Sequence, residues 1–274
     1  MSSTRLVTVV FGASGGIGRA LVSLLASSSS SSGSVNSVGP HHVLACGRSL
    51  EKLQSSIIGG TSSSLPAFDS SLVTFCKADA TSLADVEHAL KCAKDIAEQN
   101  DAKVHGAANC VGSILLKAAH QTSDEDFHDI MRTNASSAFY VTRTFAKHLM
   151  GKGGGSIALC GSAVAEIGLP NHEAIAAAKG AVVGLTRSAA ATYARKNVRV
   201  NAILPGLTIT PMTERITSNE SSRKASEKLH ALGRLGEAEE VARGLAFFLD
   251  ERNSFVTGQT LGVDGGLSTL HVPA

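Results

Sequence analysis

Apolar and polar positions follow two rhythms along this chain. Short runs rich in β-branched residues read as strands: RLVTVVF (5–11), HHVLACG (41–47), LVTFCKA (72–78), KVHGAAN (103–109), GSIALCG (155–161), VRVNAIL (198–204) and GQTLGVDG (258–265). Longer stretches with apolar residues three and four apart read as helices. These are GGIGRALVSLLA after the first strand, then segments near 123–150, 172–195 and 237–250. Ser82 opens SLAD, a capping-box start, and Leu83, Val86, Leu90, Ala93 and Ala97 form an apolar stripe behind it. Strand and helix alternate throughout, which predicts an α/β fold: a doubly wound parallel sheet with helices on both faces. Neither a repeat nor a dividing linker interrupts the pattern, so residues 1–274 are expected to form a single domain. The serine- and glycine-rich stretches 27–42 and 59–71 carry too little apolar surface to bury a face and are expected as surface-loop expansions.

Composition narrows the class. A net charge of +2 over 274 residues gives no field that would gather nucleic acid. No apolar run approaches the ~20 residues of a membrane helix, so no membrane partner is expected. The first strand begins near Arg5, leaving no room for a leader segment. The five cysteines show neither CxxC pairing nor metal-ligand spacing and read as buried, reduced thiols. A reducing, cytoplasmic setting follows as the expectation. His41 and His42 cannot turn toward one ligand from adjacent strand positions, so no metal site is expected.

Chemistry enters with GASGGIG (12–18), placed directly between the first strand and the first helix. Gly12, Gly16 and Gly18 let the backbone turn tightly and approach a pyrophosphate resting on the helix N-terminus, a Rossmann-type nucleotide site. The second strand ends in ACGRS, where an NAD-preferring site would carry a carboxylate for the ribose diol. Arg48 stands there instead, suited to grip a 2′-phosphate, and the cofactor expected is NADP(H).

The G-x3-G-x-G spacing resembles that of the short-chain dehydrogenase/reductase family. The resemblance extends over nearly the whole chain, through VNAILPG (200–206) with Thr210, and through GRLGEAEEVARGLAFFL followed by TGQTLGVDGG. That tail is most similar to the 3-oxoacyl-acyl-carrier-protein reductase and carbonyl reductase branch. The resemblance implies NADP(H) contacts from Gly12, Ser14, Gly16, Ile17, Gly18, Arg48, Asn109, Gly112, Lys179, Pro205, Gly206, Thr208 and Thr210. Asp79, in KADAT, matches the family residue that meets the adenine and could equally serve as a helix-approach cap. ANCVG (108–112) departs from the family's Asn-Asn-Ala-Gly but keeps Asn109 and Gly112.

Family members reduce carbonyls with an asparagine, a serine, a tyrosine and a lysine in Y-x3-K order. By resemblance Asn134 is the asparagine that holds a water of the proton relay, Ser162 the serine that donates to the carbonyl oxygen, and Lys179 the lysine that binds the nicotinamide ribose. The tyrosine position, thirteen residues beyond Ser162, is Ile175, and an isoleucine neither gives nor takes a proton. Losing a general acid costs ~10²–10⁴ in rate without abolishing hydride transfer. His172 lies on the same helical face as Ile175 and Lys179 and is a candidate replacement donor, the alternative being a solvent-exposed histidine at the helix start.

The expected activity is NADPH-dependent reduction of a small-molecule carbonyl, a ketone or 3-oxoacyl compound. The alternative is a weakly active or inactive NADP(H)-binding subunit or sensor in a mixed tetramer. The resemblance further implies a homotetramer or mixed tetramer. The segment 207–232, polar in ERITSNESSRKASEK, is expected to cover the substrate pocket.

Overall fold

The computed structural model describes residues 5–27, 41–59 and 68–271. Most of both serine-rich stretches lies outside these residues. Within them, His41 and His42 already belong to a strand, and Ser70–Leu72 forms a 3₁₀ turn capped by the Asp69 carboxylate.

The elements in chain order are β1 (Arg5–Phe11), α1 (Gly16–Leu25), β2 (His41–Gly47), α2 (Leu50–Ile58), β3 (Val73–Lys77), α3 (Leu83–Gln99), β4 (Ala102–Asn109), α4 (Asp124–Met131), α5 (Ser137–Met150), β5 (Gly155–Cys160), α6 (Glu173–Tyr193), β6 (Val198–Pro205), β7 (Thr208–Ile209), α7 (Glu214–Thr217), α8 (Glu220–Leu229), β8 (Gly236–Glu237), α9 (Ala238–Leu249) and β9 (Thr260–Val263). Seven strands form one parallel sheet in the order β3-β2-β1-β4-β5-β6-β9, while β7 and β8 pair separately. Because both faces of the sheet are covered, β1 and β6 are buried almost along their whole length, the polar Thr8, Arg199 and Asn201 included. One core packs α1, α2 and α9 against the sheet, the other α3, α5 and α6.

The strand order reverses between β1 and β4, and the crevice outside the strand ends opens there. Backbone bonds continue past the strands and hold the loops that line it. The Ala13 N–H donates to Cys46 O at 3.1 Å, Cys110 N–H to Phe11 O at 3.0 Å, and Gly161 N–H to Ile203 O at 2.8 Å.

Some details differ from the sequence reading. Ser82 caps α3, its Oγ accepting the Asp85 N–H at 3.3 Å, but the capping box does not close. Its own N–H goes to Asp79 O at 2.9 Å, and the short Asp85 side chain instead accepts the Asp79 N–H at 2.9 Å. A reciprocal box forms at α9, between Glu237 and Glu240. The last strand is shorter than 258–265 because Gly258 (φ 71°) and Gly265 (φ 58°) turn the chain into left-handed conformations at its two ends. The helical run 123–150 is broken by a π-helical turn over Arg132–Ser136, between α4 and α5.

Candidate active site

The glycine turn can form only without side chains. A Cβ at Gly18 would lie 2.3 Å from Gly12 O, and one at Gly16 would lie 2.8 Å from Thr210 Cγ2. Gly12 itself sits at φ 74° against the Cys110–Val111 peptide. Helix α1 starts at Gly15 with no side-chain cap, so its first N–H groups face the crevice unscreened. A pyrophosphate fits this cradle, because backbone donors are exposed where a Cβ would otherwise stand.

Beyond the turn lies a cleft of about 300 Å³. It brings together Gly16, Ile17, Gly18, Gly112, Ser162, His172, Ile175, Lys179, Pro205, Gly206, Thr208 and Thr210, from five separate stretches of chain. Gly12, Ser14, Arg48, Asp79, Asn109 and Asn134 do not line it. Arg48 is exposed one residue past β2. Asp79 Oδ1 is taken by Thr81, from its N–H at 2.9 Å and its hydroxyl at 2.8 Å, in an Asx turn ahead of the α3 cap at Ser82. Asn109 is buried, accepting the Val111 N–H at 3.2 Å and donating to Ser137 Oγ at 3.1 Å, and so fixes the loop after β4.

Asn134 reaches the site from behind. It is 1% exposed and sits in the π turn, a deviation the apolar stripe of this helix does not reveal. Its Nδ2 donates to Ile130 O at 3.0 Å and to Ser113 Oγ at 3.1 Å, and its Oδ1 accepts the Ser113 N–H at 3.2 Å. Both amide hydrogens are thus spent on protein, which leaves only acceptor capacity for a water. Gly112 is the meeting point: a Cβ there would lie 3.0 Å from Asn134 Oδ1 and 3.3 Å from Lys179 Nζ.

Lys179 is 7% exposed, and its Nζ donates to Cys160 O at 2.9 Å. The ammonium has three donors, so two remain for the cleft. Burial pulls its pKa below the usual lysine value, against the opposing pull of the Cys160 and Cys110 thiols. The Ser162 hydroxyl accepts the Val164 N–H at 3.4 Å, which leaves its own proton free to donate. At the rim, His172 Nδ1 bonds Pro170 O at 2.7 Å. A carbonyl only accepts, so Nδ1 carries the hydrogen and Nε2 is left for other partners.

Ile175, one turn before Lys179, is 4% exposed and packs with Ile130, Ala174 and Ala178. The rest of the lining is mostly apolar. Met212, Ile216 and Leu229 from the segment 207–232 face the cleft, while Glu220, Arg223, Lys224 and Glu227 are tied in i,i+4 ion pairs on α8. The polar composition of that segment therefore belongs to its outer face, and helical spacing over 220–229 is the signal that separates the two faces. His230 also lines the cleft but serves structure: Nδ1 bonds Ser226 O at 2.8 Å and Nε2 accepts the Leu207 N–H at 3.1 Å. No helix among the described residues is long and apolar enough to cross a membrane.

A family model described as enoyl-(acyl carrier protein) reductase matches residues 54–268. A tropinone reductase homologue of Arabidopsis thaliana is 35% identical over 191 residues, covering 69% of this chain and 73% of that protein. The 3-oxoacyl-acyl-carrier-protein reductase of Thermotoga maritima is 38% identical over 144 residues, 53% of this chain and 58% of its own length. The solved structure of ElxO with NADP bound superposes with a TM-score of 0.80 at 25% identity, covering 98% of this chain and 100% of that one.

Proposed function

Because the chain belongs to the short-chain dehydrogenase/reductase family, we propose that it is an NADP(H)-dependent oxidoreductase that reduces a small, largely apolar carbonyl compound in the cleft above Lys179. The observation that carries this reading is the pairing of two free proton-bearing groups, the Ser162 hydroxyl and the Lys179 ammonium, in an apolar cleft beside a phosphate-shaped glycine turn.

In this reading the turn Gly12–Gly18 holds the pyrophosphate, Arg48 the 2′-phosphate, and Lys179 the nicotinamide ribose. The cofactor, when bound, supplies a hydride to the carbonyl carbon. Ser162 donates to the oxygen as negative charge grows there, an interaction that strengthens toward the transition state. Lys179 keeps the region electropositive from its buried position. Asn134 fixes Ser113, and with it the loop that carries Gly112. Ile175 occupies the position of the family's tyrosine acid, so the proton needs another carrier. His172, half-buried at the rim with Nε2 unengaged by Pro170, is the group we assign to bring it in from solvent. Among the described residues the cleft lining contains no carboxylate and no arginine, which favours an uncharged reacting end over a hydroxy- or keto-acid.

A second reading has a specific observation behind it: the site of the missing acid is filled by a packed aliphatic side chain. Such a protein would bind NADP(H) without efficient turnover, as a sensor or as one subunit of a mixed tetramer. All five cysteines are free, which fits a reducing compartment such as the cytoplasm.

Titration of the purified chain with NADPH and NADH, followed by nicotinamide fluorescence, tests both readings. NADPH is expected to bind tighter than NADH, and Arg48→Ala to remove most of that difference, about tenfold or more for one charge-assisted phosphate contact. Absence of binding by either nucleotide would sink the oxidoreductase and the sensor together.

A further inference from the structure

Away from the cleft, three side chains that the sequence scatters between β3 and α3 come together. Cys76 lies on β3, and His88 and Cys92 lie four residues apart on α3, where side chains at i and i+4 share a face. The two Sγ atoms and a ring nitrogen of His88 all lie within 4.8 Å of one another, and Cys92 Sγ is 3.5 Å from His88 Nε2. No pair among them is adjacent in sequence, and no CxxC marks them. This is why the spacing of the cysteines alone gives no metal site: the strand supplies one ligand and the helix two.

We propose that Cys76, His88 and Cys92 form a binding site for a thiophilic d¹⁰ cation, zinc in the first instance, which clips β3 to α3. The separations fit the ion. With metal–sulfur bonds near 2.3 Å and metal–nitrogen bonds near 2.0–2.1 Å, a tetrahedral site has a sulfur–nitrogen edge of about 3.6 Å and a sulfur–sulfur edge of about 3.8 Å. The observed 3.5 Å matches the first, and the 4.8 Å bound contains the second. Two thiolates and an imidazole make a soft donor set, suited to zinc or cuprous ion and poorly suited to magnesium or calcium. The gradient of burial gives the ion a way in: Cys76 is buried, Cys92 is half-buried, and His88 is exposed. The fourth position is open to water, or to Cys46, which faces Cys76 in register on β2 and therefore points to the same face of the sheet.

On binding, the Cys76 and Cys92 thiols each release a proton to solvent and His88 coordinates through its neutral ring.

The place of the cluster gives the clip a purpose. β3 is the edge of the seven-stranded sheet and is paired on one side only. Its connection to α3 runs through Asp79 and Ser82 and is bracketed by ligands on both sides. The Asp79 N–H already donates to Asp85 at 2.9 Å, so an ion at 76, 88 and 92 would fix the same turn from its other flank.

The test uses the full chain, reduced and stripped of metal by chelator. Zinc is titrated against a chromophoric competitor, and cobalt is used as a spectroscopic probe. One ion per chain is expected, and the cobalt form should show the intense visible absorption and thiolate charge-transfer bands of a tetrahedral site. His88→Ala, at an exposed position that does not threaten the core, and Cys92→Ser should each weaken zinc binding by at least about 100-fold, beyond what altering an outer partner of a ligand costs. Circular dichroism of both variants confirms that the fold persists. Zinc should also raise the melting temperature of the parent chain and not that of His88→Ala. The proposal is overturned by the absence of zinc uptake, by a pale octahedral cobalt spectrum, or by equal affinities in parent and variants. Recovery of a Cys76–Cys92 disulfide in air from a chain that takes up no metal when reduced would also overturn it, and would make the pair a redox couple.

Discussion

Replacing Ile175 by tyrosine asks whether a single missing hydroxyl separates this site from an efficient reductase. The position is one turn before Lys179 on α6, so a phenol there would stand on the same helical face as the ammonium. A positioned general acid contributes ~10²–10⁴ in rate, or about 3–5 kcal/mol of barrier. If His172 already carries the proton in, the gain falls at the lower end, near ~10². Against this stands a packing cost. Ile175 is 4% exposed and meets Ile130, Ala174 and Ala178, with Leu115 and Met131 behind them. Forcing a larger ring among them should cost about 1–3 kcal/mol of stability unless the ring swings into the cleft. The assay is kcat/KM with NADPH over a panel of ketones, diketones, quinones and a 3-oxoacyl thioester, run beside Ile175→Phe as a control of equal shape without the hydroxyl. Tyrosine should exceed both parent and phenylalanine by the stated factor, with NADPH affinity unchanged. If the tyrosine and phenylalanine variants perform equally while both still bind NADPH, the assignment of this position as the empty seat of the acid is wrong.

Two further outcomes are expected. His172→Ala should lower kcat by ~10² while leaving NADPH affinity intact, and should be nearly silent in the Ile175→Tyr background; an unchanged kcat in the parent background would remove His172 from the mechanism. Acid should destabilise the fold through His41, which burial first, and His105 beside it, lower to about 3 from an ordinary 6.5. Between those values the unfolded chain binds a proton that the folded chain refuses, so stability is full above 6.5 and is lost as pH falls toward 3. His41 alone should cost about 2 kcal/mol between pH 7 and pH 5, read by urea unfolding, and His41→Gln should flatten that slope.

The parts of this molecule that are legible in its sequence are those whose cause is local. A β-branched run followed at once by GASGGIG is a strand feeding a phosphate turn, and it folds as such because the glycines leave only that path. The family resemblance pairs Ser162 with Lys179 seventeen residues on, and both line the cleft, Ser162 just past the end of β5 and Lys179 in the second turn of α6. Other features depend on what a residue meets rather than what precedes it. The π turn that aims Asn134 at Ser113 leaves the apolar stripe intact and so leaves no periodic trace. The inward face of 207–232 was hidden by its charged outer face. The meeting of Cys76 with His88 and Cys92 exists only once β3 packs on α3.

Helix α6 carries Lys179 in its second turn and runs on to Tyr193, fourteen residues later. At 1.5 Å per residue, that places the ammonium's helical anchor on a lever arm of about 21 Å. A tilt of about 3° at the far end would displace the anchor by about 1 Å, a misplacement of the size that can cost ~10² in rate. In the proposed reductase the far end, with Ala189 and Ala190 set into the core against the sheet, would bear on reactivity as the cleft does. Forces applied there, by mutation or by a neighbouring subunit, would be felt as a change in chemistry with no change in any residue that touches substrate.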